Sequence, residues 1–329
     1  MAYLFAVYIG GTFTDLVACD LDSGAVTYSK SPTTYGNFGE GIFDCIRKAA
    51  VDPRDALFVK HGTTLVINAL LQRVGARTAL LTTSGFRDVL EIGRGNRTES
   101  FNYLFWRHEP FVTREYRLEA RERLNSRGEV VTPLDEAHLV KVLDEAKAKG
   151  AEAIAICFLH SYRNPVHERR TGELLAKLLP GVMVSLSSDV LPVFREYERS
   201  MTTLLNAYVM PLVSTYVGRL QARLGEASIG GRLLLMKSNG GVAGADAIRR
   251  SPVHTALSGP AAGAMGVAIL VGLALTLAYP NLPDTSSLAD YRPKLPLRVL
   301  ASDGTLIGEF GEERRTYVPI EQIPQVMKQ

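Results

Sequence analysis

The chain has 329 residues, 46% of them apolar, and sets 37 Lys and Arg against 34 Asp and Glu for a formal charge of +3. That length buries a large core and divides into two or more domains, and the interspersed, nearly balanced charge speaks against a nucleic-acid groove. Cys19, Cys45 and Cys157 lie far apart without Cys-x-x-Cys spacing, which argues against a disulfide frame or zinc site and for a reducing, cytoplasmic compartment.

No signal peptide is expected, because no basic segment precedes a cleavable apolar core at the N-terminus. The first thirty residues read as three short strands, 5–9, 16–19 and 26–28. Between the first two lies Gly10-Gly11-Thr12-Phe13-Thr14-Asp15. Glycine has no Cβ to bar a tight turn or the approach of an anion, so the N–H groups of this turn and the hydroxyls of Thr12 and Thr14 can face phosphate oxygens. The same residues also make an ordinary β-hairpin.

A helix follows over 37–50, with Ile42, Phe43, Ile46 and Ala49 on one face. His61-Gly62-Thr63-Thr64 stands where a strand meets a helix over 65–73, so its threonines either cap that helix or offer hydroxyls to a ligand. A buried strand is expected at 78–82. Residues 94–127 have no clean period and read as loops and edge strands. From there the pattern alternates: helix 134–149 with Asp135 and Glu136 in its first turn, strand 153–158, helix 166–179, strand 182–186. Such alternation predicts a mostly parallel or mixed sheet covered by helices.

The longest helix is expected at 197–224, with a bend at Pro211. At its start, Arg195-Glu196-Tyr197-Glu198-Arg199 reads as a solvated or inter-lobe ion-pair network. His160 and His167 do not share a helical face, and no metal site is expected. Ser238-Asn239-Gly240-Gly241, after a strand at 233–236, is either a ligand loop at a strand's carboxyl end or an Asn-Gly turn.

Colinear blocks carry a resemblance: GGTFTDLVACD at 10–20, KHGTTLVINALLQRVGARTALLTTSGFRDVLEIGRGNR at 60–97, AIAICFLHSYRNPVHERR at 153–170, VSLSSDVLPVFREYERSMTTLLNAYVMPLV at 184–213, LLLMKSNGGV at 233–242 and SPVHTALSGPAAG at 251–263. Over about residues 1–265 the chain resembles the A-type subunit of the ATP-dependent hydantoinase/5-oxoprolinase family. The resemblance implies an α/β, actin/sugar-kinase-like (ribonuclease H-like) ATPase lobe, with ATP and magnesium bound between two lobes. It implies an N-terminal domain over 1–180 and the start of a second over 181–267. The implied chemistry is phosphorylation of a cyclic amide on its oxygen, which opens the ring carbon to water, with a B-type subunit as partner. Gly10, Gly11, Thr12, Thr14 and Asp15 become the expected phosphate-side residues, with Asp15 orienting the hairpin or a metal-bound water.

Two departures count against turnover. The family carries an aspartate where this chain has Tyr8, and a phenol cannot supply that charge at neutral pH. The second phosphate hairpin expected after SGPAAG is missing, so a non-catalytic fragment or fusion is the rival reading.

From about 268 the sequence resembles the membrane-proximal region of class A penicillin-binding proteins of the 1A type, on LVGLALTLAYPNLPDTSSLADYRPKLPLRVLASDGTLIGEFGEERRTYVPIEQIPQVMKQ at 270–329. No Asp, Glu, Lys or Arg occurs between Arg250 and Asp284. The core of that run, 261–279, is long enough to span a bilayer, which gives an inner-membrane-anchored accessory of peptidoglycan synthesis as a third reading. The tail reads as a hairpin, 297–300 and 306–310, turning at Asp303-Gly304.

Overall fold

The computed structural model describes residues 2–34, 38–95, 101–104, 109–262, 264, 271, 276 and 297–310. In chain order the elements are β1 (Tyr3–Ile9), β2 (Phe13–Asp20), β3 (Val26–Pro32), α1 (Phe38–Ala49), β4 (Ala56–Thr63), α2 (Leu65–Leu71), β5 (Thr78–Thr83), α3 (Val89–Ile92), β6 (Arg117–Ala120), β7 (Arg123–Leu124) and β8 (Val130–Thr132). Then come α4 (Glu136–Ala148), β9 (Ala153–Cys157), α5 (Val166–Leu178), β10 (Met183–Leu186), α6 (Ser187–Val190), α7 (Glu196–Glu226), β11 (Arg232–Met236), β12 (Val242–Gly244) and α8 (Ala245–Arg250), and last β13 (Leu297–Leu300) and β14 (Leu306–Phe310).

Two sheets carry the first compact unit, Met1–Ala268. The first has the order β12-β11-β4-β1-β2-β3, in which β1, β4 and β11 run parallel, β2 pairs antiparallel with both β1 and β3, and β12 pairs antiparallel with β11. Alternation sets its faces: Phe5, Val7 and Ile9 of β1 are buried with Leu16 and Ala18 of β2 against α1 and α7. The second sheet, β10-β9-β5-β6, is parallel throughout. Every residue of β5 and β9 is buried, as befits strands covered on both faces. Asp135 caps α4, its carboxylate accepting the His138 amide at 2.9 Å.

Helix α7 joins the two cores. Its 31 residues rise over roughly 46 Å. Leu204 and Ala207 pack with Leu80, Ala153 and Ala155 of the second sheet. Val209, Val213, Val217 and Leu220 pack with Phe5, Val7 and Val59 of the first. The helix continues through Pro211 without interruption. Part of the irregular stretch 94–127 resolves into β6 and β7, while residues 96–100 and 105–108 lie outside the described set.

The membrane expectation is corrected. Among the described residues no helix is long and apolar enough to cross a membrane. The start of the charge-poor run is apolar for another reason: Gly259, Pro260 and Ala262 wall a cavity on the first sheet with Ala6, Tyr8 and Met236. The rest of 261–279, apart from residues 264, 271 and 276, lies outside the described residues. The second unit, Ile269–Gln329, contains the expected hairpin, with Leu297 opposite Phe310 and Gly304 at a positive φ of 84°.

Candidate functional site

The carboxyl ends of β1 and β4 lie side by side, with Ile9 opposite Thr63. The turn between β1 and β2 is closed by the Gly10 amide donating to Phe13 O at 2.9 Å. Thr33 braces it from below: its amide donates to Thr12 O at 2.9 Å and its hydroxyl to Gly10 O at 3.0 Å. Neither Gly10 nor Gly11 takes a positive φ, and only at Gly10 does glycine supply room, since a Cβ there would come within 3.2 Å of Phe13 O. A Cβ on Gly11 would meet nothing within 4 Å. Beside it is a 210 Å³ cavity lined by Gly10, Gly11, Thr63, Thr64, Asn68 and Gln72, among other residues.

The five expected residues divide. Gly10, Gly11 and Thr12 form the turn itself, and Gly11 and Thr12 are exposed. Thr14 faces the core with Leu16 and Ala18; it is fully buried, and its hydroxyl lies 3.4 Å from that of Thr33. Asp15 accepts the Tyr28 phenol proton at 2.6 Å and lies 3.6 Å from Lys30 Nζ. That bond raises the Tyr28 pKa above the usual phenol value.

In the His61-Gly62-Thr63-Thr64 segment, Thr64 stands at the N-cap of α2 without a side-chain cap bond. The Thr63 hydroxyl accepts the Leu65 amide at 3.1 Å and so steadies the start of α2, while Thr64 lines the cavity and accepts from Asn68 Nδ2 at 3.2 Å. His61 is 1% exposed, and its Nε2 lies 2.6 Å from the Tyr216 hydroxyl of α7. Burial pushes its pKa down to about 4, so the ring is neutral at pH 7. Ser238-Asn239-Gly240-Gly241 is a β11–β12 hairpin turn: Asn239 Oδ1 accepts the Gly241 amide at 3.0 Å, Gly240 has φ 82°, and Ser238 Oγ donates to His254 O at 2.8 Å.

Tyr8 occupies the expected acid position. Its ring lies in a nest of glycines, since a Cβ on Gly10, Gly62 or Gly259 would come within 3.3, 3.3 or 2.9 Å of it. Asp15 is engaged by Tyr28 and Lys30, and the described residues contain no group of three or more His, Cys, Asp or Glu able to hold a metal.

A second polar cluster escaped the sequence reading. At the carboxyl end of the parallel sheet, Thr83 hydrogen-bonds Glu122, Glu122 Oε2 lies 2.7 Å from His167 Nδ1, and Thr83 Oγ1 accepts the Leu159 amide at 2.9 Å. Beside it, Glu168 accepts from the amides of Phe158 (3.0 Å) and Ser188 (2.9 Å) and from Ser187 Oγ (2.6 Å). Glu122 was hidden in the aperiodic stretch, and Glu168 reads in sequence as a first-turn acid. His167, dismissed as a metal ligand, is instead a carboxylate partner.

Comparison with known proteins places this geometry. Residues 4–179 match the model described as the hydantoinase/oxoprolinase N-terminal region, and residues 199–276 match the hydantoinase/oxoprolinase model. An uncharacterised protein of Methanocaldococcus jannaschii is 38% identical, over 82% of this chain and 40% of its own length. The caprolactamase subunit alpha of Pseudomonas jessenii is 34% identical over 79% of this chain and 38% of its own. The crystal structure of ATP-dependent caprolactamase from that organism superposes with a TM-score of 0.73 at 32% identity, covering 86% of this chain and 41% of that one. Nucleotide-free acetone carboxylase superposes with a TM-score of 0.72 at 26% identity, over 82% and 40%. The chain thus spans about two fifths of the length of the first of these relatives.

These matches overturn the penicillin-binding-protein resemblance. The family match runs through the expected seam at 265–268 and takes in residues up to 276 that were to open a membrane-proximal segment. No surface among the described residues identifies the B-type subunit implied as partner, and that expectation does not carry over. The fold is α/β of the actin/sugar-kinase type, and the chain belongs to the hydantoinase/oxoprolinase family.

Proposed function

We propose that this chain supplies one jaw of an ATP clamp in an ATP-dependent hydrolase of cyclic amides, and that it binds nucleotide phosphate without turning it over. The carrying observation is the solvent-exposed Gly11-Thr12 turn, set at the carboxyl end of β1 beside a cavity walled by Thr63 and Thr64. The main chain of Gly11 and Thr12 faces the phosphate. Gly10 contributes room, because its own N–H is spent on Phe13. Thr14 and Asp15 hold the hairpin from its two faces. The cyclic-amide reading rests on the similarity to caprolactamase, whose name denotes a ring amide and which exceeds acetone carboxylase in identity to this chain.

In the reaction so assigned, the terminal phosphoryl group passes to the amide oxygen and ADP leaves. Water then adds to the ring carbon, the C–N bond breaks and phosphate departs. This chain's part is to hold and orient the phosphates. Tyr8 brings no negative charge to the position where the family pattern sets an acid, which supports binding without turnover. The free thiols of Cys19, Cys45 and Cys157 suit a cytoplasmic setting.

Gly11→Val tests the clamp. The added side chain meets open space, so circular dichroism and the unfolding midpoint stay unchanged. Affinity for ATP by isothermal titration falls at least about tenfold, the loss of one charge-assisted hydrogen bond or more. Unchanged affinity would remove Gly11 from the site, and phosphate release by the unmodified chain with 5-oxoproline or a hydantoin would overturn the non-turnover reading.

A further inference from the structure

Arg199, the last residue of the charged run at the start of α7, is not solvated. It is 1% exposed and donates from Nη2 to Phe158 O at 2.7 Å, while its Nε and Nη1 are buried without a partner. Its guanidinium lies over the Tyr162 ring, 5.4 Å from the centroid. A ring face offsets part of the cost of burying the charge but supplies no acceptor for the remaining N–H groups. Arginine cannot shed its proton to escape that cost.

The surroundings point the same way. His160 also lies beside Tyr162, with ring centroids 6.0 Å apart, and its Nδ1 is buried without a partner. It adopts a left-handed backbone, φ 60°, a conformation that non-glycine residues hold at a cost and that gathers at functional positions. Both residues sit at the carboxyl end of β9 in an all-parallel sheet, the edge at which open α/β sheets take ligands. Neighbouring carboxylates are engaged elsewhere: Glu198, next in sequence, by Arg94, Glu122 by Thr83 and His167, and Glu168 by two amides and Ser187.

We propose that Arg199 and His160 form a binding site for a small oxyanion, a carboxylate or phosphate group, at the carboxyl edge of the second sheet. Arg199 supplies the charge and two nitrogens in search of acceptors. His160 supplies a further ring nitrogen, and, being only partly buried, it marks the way in. Tyr162 holds both side chains in place. The site lies on a different sheet from the Gly11 turn and does not depend on nucleotide binding there.

The test is thermal unfolding of the full chain in sodium phosphate and, separately, in sodium acetate, with ionic strength held constant by sodium chloride. The midpoint of the unmodified chain rises saturably with at least one anion. A response to phosphate alone assigns a phosphoryl group, and a response to acetate alone assigns a carboxylate. Arg199→Met abolishes the rise. His160→Asn, a residue that tolerates the left-handed backbone, raises the half-saturating concentration about tenfold. Gly11→Val keeps the response, which separates this site from the clamp. Should Arg199→Met not fold, the Arg199 Nε–H resonance of the unmodified chain decides, by shifting saturably with the anion. A midpoint and a resonance indifferent to both anions would overturn the proposal, as would an unchanged rise in Arg199→Met.

Discussion

At the scale of single residues, the buried His61 carries a pH dependence whose sign is fixed. Its folded pKa, about 4, is below the ordinary value of 6.5, so the unfolded chain takes up the proton first. The stability it contributes is complete above about pH 6.5 and is lost as pH falls toward 4. Between about pH 7.5 and pH 5 the loss is about 2 kcal/mol. Urea unfolding at the two pH values should show it, and His61→Asn should remove most of that difference; an equal loss in the variant would assign it to other groups. The partner of His61 was not legible, because Tyr216 is 155 residues away. The direction of Thr14 was legible and overlooked: period two puts it on one face with Leu16 and Ala18, all fully buried. The sequence pattern makes the turn a candidate phosphate site, but the same alternation turns one of its hydroxyls into the core.

At the scale of elements, strongly periodic segments appear where the pattern puts them, because each has a local cause. Helix α4 is capped by Asp135 through a 2.9 Å bond to the His138 amide. Asp135→Ala should cost about 1 kcal/mol in the denaturation midpoint, as loss of an N-cap does, and no change would mean that another group satisfies that amide. The stretch 94–127 was illegible for a physical reason. Strand β6 is short and at the sheet's edge, and it is held by Arg117, 2% exposed, bonded to Val112 O at 3.0 Å and to Glu91 at 2.8 Å. Periodicity reports burial of apolar faces and says nothing of a strand anchored by a buried arginine. The ends of such contacts come from separate parts of the chain.

For the whole first unit, α7 makes two sheets into one cooperative structure. Its early residues belong to one core and its later ones to the other. Native-state hydrogen exchange should therefore give β1 and β4 the same opening free energy as β5 and β9, within about 1 kcal/mol. A second sheet that opens well below the first would show that α7 does not couple them. The alternating α/β rhythm was visible in sequence; that one helix serves both sheets was not, since a helix buried along its length shows no single apolar face. The same limit produced the expected membrane span. A charge-poor run reads alike whether lipid or a sheet covers it, and here Gly259 and its neighbours meet the sheet.

The nest around Tyr8 bears on how this lineage could change. Three glycine positions leave space shaped to an aromatic ring, and glycine offers no side-chain donor. An aspartate at position 8 would leave part of that space empty and find no side-chain partner on the three glycines, so substitutions around the ring would have to accompany it.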